Sequence, residues 1–108
     1  MAAVIVSLAR PADQLGPFQR PVTLSKTRYR LQVHPSALPG GGLWMSLLDV
    51  SGAPLVRGVR LLAGIDDLLA PYRARVTALP PGRLYVRATA DPQPEDLSRG
   101  TFDLVYEE

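Results

Sequence analysis

Eleven prolines and nine glycines are spread along these 108 residues, and that punctuation is the strongest limit on what the chain can fold into. Proline removes a backbone donor and glycine weakens regular structure, so long helices are excluded and short strands joined by turns are expected. Residues 3–8 read as an apolar strand, ended by "RPADQLGP". Residues 18–24 and 27–33 read as a hairpin. In the latter, "TRYRLQV" places Tyr29, Leu31 and Val33 on one face and Arg28, Arg30 and Gln32 on the other. The segment "HPSALPGGG" is a loop, since three consecutive glycines break any regular element.

The stretch "LWMSLLDVSGAPLVRGVRL", residues 43–61, holds the only tryptophan and much of the bulky apolar content. A two-residue turn at Ser51 and Gly52 would set Leu48 against Leu55, Leu47 against Val56, Ser46 against Arg57, Met45 against Gly58 and Trp44 against Val59. Both faces of residues 43–50 are largely apolar, so the strand is expected to be covered on both sides, by its own barrel or by another subunit. In "GIDDLLAPYRARV", Asp66 is expected to cap a short helical turn that points Leu68 and Leu69 inward and is stopped by Pro71. "RLYVRATA" and "TFDLVYEE" supply the last two strands. The sum is an all-β chain, a small antiparallel β-sandwich or barrel of about six or seven strands with one short helical turn, in a single domain over residues 1–108.

With 46% hydrophobic and 20% charged residues the chain is an ordinary globular one. No apolar run approaches the ~20 residues that a bilayer demands, so no membrane partner is expected. The apolar N-terminal run lacks a preceding positive region and is too short for an export signal, and it reads as a strand. Without cysteine there are neither disulfides nor thiolate metal sites, in keeping with cytoplasmic synthesis. The net charge of +2 and pI of about 9.4 come from eleven arginines and one lysine. They are scattered, whereas a nucleic-acid binder concentrates its cations, so a nucleic-acid partner is not expected. The arginines read as solvated strand faces, or as interface residues chosen for the planar guanidinium's bidentate pairing.

Candidates for chemistry are few. His34 is the only histidine, and Pro35 after it favours an extended loop-like backbone. Zinc there would need carboxylates alone as its companions, an uncommon ligand set. Asp66 with Asp67, and Asp91 with Glu95 and Asp96, lack the oxygen-ligand spacing of a calcium loop and read as a cap and a solvated loop. The glycines at 40–42 are not followed by a lysine and a helix, so they do not make a phosphate loop. The aromatics at 29, 44, 72, 85, 102 and 106 could stack bases if they shared a sheet face with arginines, but their alternation points most of them inward. Neither enzymatic activity nor a cofactor or metal is expected; the surface itself is the candidate for function.

Taken in order, "TRYRLQV", "LWMSLLDVSGAPLVRGVRLLAGIDDLLAPY" and "GRLYVRATADPQPEDLSRGTFDLVYEE" resemble the small baseplate plug family of cyanophage-type and other contractile-tailed phages and tail-like particles. The resemblance covers roughly residues 17–108 and rests on turn and core residues: Tyr29, Trp44, Asp49, Gly52, Pro54, Leu55, Gly58, Asp67, Leu68, Leu69, Gly82, Leu104 and Tyr106. "HPSALPGGG" departs from the family pattern as an insertion-like loop. The resemblance implies a structural virion protein of the tail baseplate, made in the host bacterial cytoplasm. It implies a place at the distal end of the tail tube near hub and spike, where multi-copy contacts plug or line the lumen. Implied partners are the hub, spike, tube or tube-initiator, the tape-measure terminus and further copies of the chain. Candidate interface residues are Arg28, Arg30, Trp44, Arg57 and Arg60, with Asp66 and Asp67 as acidic counterparts. The alternative is a monomeric β-barrel binding module for single-stranded nucleic acid or a small ligand.

Overall fold

The computed structural model describes residues 3–6, 17–36, 38, 40–94, 96–99 and 102–108. Seven strands are present there: β1 (Ala3–Val6), β2 (Phe18–Leu24), β3 (Thr27–Pro35), β4 (Leu43–Asp49), β5 (Pro54–Arg60), β6 (Arg83–Arg87) and β7 (Asp103–Glu107). β1 is described over Ala3–Val6, and residues 7 and 8 of the expected strand lie outside the described residues. All strand pairs are antiparallel, in a four-stranded meander of order β2-β3-β4-β5 and a three-stranded sheet of order β1-β7-β6. Among the described residues no helix is long and apolar enough to cross a membrane.

The two sheets bury one face each against the other. From the smaller come Val6, Leu84, Val86, Leu104 and Tyr106; from the larger Phe18, Leu31, Val33, Met45, Leu47, Val56 and Val59. Neither sheet closes on itself, which settles the expected choice between sandwich and barrel as a sandwich. β3 follows its alternation as expected, with Tyr29, Leu31 and Val33 buried and Arg28 and Arg30 exposed. It also runs two residues further than expected, through His34 and Pro35, whose partners are Trp44 and Leu43.

The β4–β5 ribbon departs from the expected register. Only Leu47 opposite Val56 holds; Trp44 meets Arg60, Met45 meets Val59 and Leu48 meets Pro54. The turn is longer than Ser51 and Gly52 because Asp49 closes it. Its amide donates to the Ala53 carbonyl at 2.9 Å, and its carboxylate accepts from the Ser51 amide and hydroxyl and the Ala53 amide at 2.9, 2.6 and 2.9 Å. Those donors hold the Asp49 carboxyl below the ordinary carboxylate range, the Ser51 hydroxyl most of all. Two bulges then follow on β5, one at Leu55 and one where Arg57 and Gly58 together face Ser46. Val56 and Val59 are three apart, so strict alternation would point them to opposite faces; the second bulge turns both into the core. Arg57 and Arg60 consequently both face outward.

Two helical pieces appear where one is expected. The 3-10 turn spans Ala70–Tyr72 and takes Pro71 into its first turn, where a missing N–H is tolerated, so the proline opens the turn rather than stopping it. A four-residue helical turn, Asp96–Arg99, lies within the acidic loop.

Two substitutions test this account. Gly58 has φ +68° and open space where a Cβ would stand, so Gly58→Ala meets only the conformational cost of a left-handed L residue. It should lose about 1 kcal/mol, some 5 °C in a thermal melt. The β2–β3 turn places Ser25 and Lys26 at φ 52° and 65°, the geometry that glycine or asparagine normally fills. Lys26→Gly should therefore raise stability by up to about 1 kcal/mol in the same melt.

Candidate functional site

The outward face of the four-stranded sheet is organised in cross-strand rows. His34, Trp44 and Arg60 form one row, Gln19, Gln32 and Ser46 the next, and Pro21, Arg30, Leu48 and Pro54 a third, with Thr23 beside Arg28 at the end. Arg57 stands in the bulge opposite Ser46. No acidic residue occupies any of these positions. Five of the seven sequence-predicted interface residues, Arg28, Arg30, Trp44, Arg57 and Arg60, thus share one surface.

They are of two kinds. Arg60 is held by its own fold: its guanidinium lies 5.8 Å from the centroid of the Trp44 ring, and Nη2 donates to the Gly40 carbonyl at 3.2 Å. Trp44 Nε1 donates to the Gly41 carbonyl at 2.8 Å, so the glycine loop pins both side chains. Gly42 has φ +79°, and a Cβ there would come within 2.9 Å of Arg60 Nε, which explains why the loop is built of glycine at that point. Arg28, Arg30 and Arg57, by contrast, are exposed and make no ion pair among the described residues.

The chain itself covers the inner face of β4 completely and the outer face in part. Leu43, Met45 and Leu47 are 0% exposed on the inner face. On the outer face Ser46 and Leu48 are buried, but Trp44 remains 36% exposed. Leu48 has Arg30 and Pro54 as cross-strand neighbours, so an arginine's aliphatic stem lies beside it.

His34 is within 3.3 Å of Ser46 Oγ through Nε2, a pairing of atom types found in nucleophilic enzymes. Here Ser46 is buried and its Oγ also accepts the Gly58 amide at 3.3 Å. No carboxylate is hydrogen-bonded to His34 among the described residues. The pair therefore anchors the bulge. No group of three His, Asp or Glu side chains among the described residues could hold a metal ion. Asp91 accepts the Ala63 amide at 2.9 Å and Asp96 the Gln93 amide at 2.8 Å, while Glu95 lies outside the described residues. The aromatics do not share a face: Tyr29 and Tyr106 are in the core, Trp44 faces outward on the larger sheet and Tyr85 outward on the smaller.

The two aspartates lie away from the arginine face. Asp66 is exposed. Asp66 does not cap the 3-10 turn, whose N-cap is Leu69 without a side-chain cap hydrogen bond; the carboxylate engaged just before it is that of Asp67, which accepts Arg73 Nε at 2.8 Å and the amides of Leu69 at 3.1 Å and Leu84 at 3.2 Å. Arg73 continues to the carbonyls of Pro80 at 2.6 Å and Gly82. This staple ties the 3-10 turn to β6 and is invisible to sequence periodicity, because its partners lie on irregular segments. Two further cross-strand ion pairs, Arg83 with Glu107 and Arg87 with Asp103, follow from the β6–β7 register. Arg73, Arg83 and Arg87 thus have acidic partners within the chain, while Arg28, Arg30 and Arg57 have none among the described residues.

The sequence profile of a family described as cyanophage baseplate Pam3 plug gp18 matches residues 9–108. Among curated proteins none matches the chain.

The staple predicts a pH dependence. Burial alone would raise the Asp67 carboxyl, but hydrogen bonds from Arg73 and from the Leu84 and Leu69 amides outweigh it and hold the group below the ordinary carboxylate range. Its contribution is therefore complete above the ordinary carboxylate pKa and is lost as pH falls through the depressed folded value. Asp67 is 14% and Arg73 30% exposed, so solvent weakens the pair. Asp67→Asn should cost about 1–2 kcal/mol at neutral pH and flatten the acid limb of a stability-versus-pH curve measured by denaturant unfolding.

Proposed function

Since the chain belongs to the cyanophage baseplate plug family, we propose that it works by contact, as a brick of the contractile-tail baseplate with no catalytic step of its own. In this reading it sits in the virion at the distal end of the tail tube, near hub and spike. Several copies there plug or line the lumen, touching hub, spike, tube or tube-initiator and the tape-measure terminus.

The observation that carries the reading is the sorting of the arginines. Arg28, Arg30 and Arg57 project from one sheet face with no ion-pair partner among the described residues, while Arg73, Arg83 and Arg87 are paired within the chain. A cationic face with an arginine-backed tryptophan suits an acidic protein surface: the guanidiniums supply bidentate pairing and orientation, and Trp44 supplies an apolar anchor. Asp66, exposed and elsewhere on the fold, is the acid that a second copy could offer such a face; Asp67 is already engaged by Arg73. A single-strand nucleic-acid site would need aromatics interleaved with these arginines, and the face has only Trp44.

Charge reversal tests the proposal. The variant Arg28→Glu, Arg30→Glu, Arg57→Glu spares Arg60 and its tryptophan, so the isolated protein should melt within about 3 °C of wild type. Its incorporation into purified tails, read by quantitative mass spectrometry, should fall at least tenfold. Normal incorporation would refute the assignment, and wild-type retention on single-stranded DNA that falls steeply with salt would replace it with the binding-module reading.

A further inference from the structure

Each sheet has two edges, and three of the four are blunted. On the larger sheet, β2 carries Pro21 in mid-strand, which deprives it of a donor, and β5 begins with Pro54 and is bent by two bulges. On the smaller sheet, the open side of β6 is covered by its own chain. Ala63 bridges Val86 in parallel, the Leu68 amide donates to the Leu84 carbonyl at 2.7 Å, and the Leu84 amide donates to Asp67 at 3.2 Å.

Among the described residues β1 has none of these devices. Its sequence, AVIV, contains no charge, proline or glycine, and among the described residues it pairs on one side only, with β7. Val4 is 52% and Ile5 57% exposed. On the outward face Ile5 continues a row with Val105 and Tyr85, which the Arg83–Glu107 and Arg87–Asp103 ion pairs flank. An uncharged, β-branched, unbulged edge is the form of strand that recruits another strand.

We propose that β1 is a self-association edge, pairing antiparallel with β1 of a second copy and joining two three-stranded sheets into one of six strands. The occupant follows from the edge's own chemistry. An uncharged edge accepts an uncharged strand, and among the described residues β1 is the one of the four edges in a second copy that is uncharged, unbulged and without a covering segment. The pairing is isologous, so the same residues serve both sides. Opposed residues in an antiparallel pair share a face, and a twofold axis centred on Ile5 sets Ile5 against its own copy and Val4 against Val6 of the second copy. Four residues per strand bury far less than the ~1,200 Å² of a standard stable interface, so the isolated pair is weak and gains strength when a particle holds copies close together. The inference rests on the multi-copy reading above for its place in the particle, but uses residues separate from the arginine face.

Sedimentation velocity and light scattering on the full chain, from roughly 10 µM to 1 mM, test it in solution. Wild type should rise toward twofold in apparent mass across that range. Ile5→Lys and Ile5→Glu, both at an exposed site, should each remain at the monomer mass, and an equimolar mixture of the two should regain association, because the opposed charges then attract. The arginine-reversal variant should associate like wild type, which separates failure here from failure of the cationic-face reading. The proposal is overturned by a wild type that stays monomeric throughout, by Ile5→Lys associating unchanged, or by a monomeric chain whose β1 instead binds a different baseplate component.

Discussion

The inward row of β4 fixes the rest of the structure. Leu43, Met45 and Leu47 are fully buried in one of the two inner strands of the larger sheet, and each neighbour must register against them. A one-residue slip in a sheet would carry a whole set of side chains from core to solvent, so the cost of misregister is the burial of several large residues at once. β3 meets this demand by simple alternation. β5 cannot, because its apolar residues are spaced unevenly, and it bulges twice to deliver Val56 and Val59 inward. The arginines between and beside them are expelled together. The charged face is thus a consequence of how the core is satisfied.

Much of this was legible in the sequence where a period could be counted. The alternation of "TRYRLQV", the turn residues around Ser51 and Gly52, and the all-β class all follow from side-chain period and proline placement. The elements that depart from the expected pattern share a different cause. A two-residue turn would set one β4–β5 register, but the Asp49 carboxylate organises a longer turn through three donors, and the glycine that permits the second bulge looks in sequence like an ordinary gap beside Met45. Asp66 and Asp67 are adjacent and chemically identical; only the approach of Arg73 and the Leu84 amide from 6 and 17 positions away selects Asp67. Likewise the turn at Ser25 and Lys26 carries no glycine or asparagine to announce its left-handed backbone.

The candidate surface was legible in membership but not in arrangement. Arg28 and Arg30 share a face by simple alternation, whereas Arg57 and Arg60, three apart, reach it together only because of the bulge. Periodicity does not divide the arginines into those with acidic partners and those with none among the described residues, since that division depends on which strands are adjacent. Arg83 and Arg87 meet Glu107 and Asp103 because β6 lies against β7. Arg28 and Arg30 face a strand pair whose outward positions hold glutamine, proline, serine and leucine instead.

A protein that acts by contact needs surfaces that do not compete with one another. Surface arginines that make no ion pair among the described residues cost the monomer little, because water solvates them, and such charges act over a distance set by the Debye length, about 8 Å at physiological salt. An uncharged strand edge acts only at hydrogen-bonding distance and is indifferent to salt. The fold separates the two: the cationic face belongs to the larger sheet and β1 to the smaller, so occupation of one leaves the other free. Protection of the other three edges then has a further effect beyond avoiding aggregation. With β2, β5 and β6 blunted, the proposed pairing through β1 would close after two copies and would not propagate into a fibre.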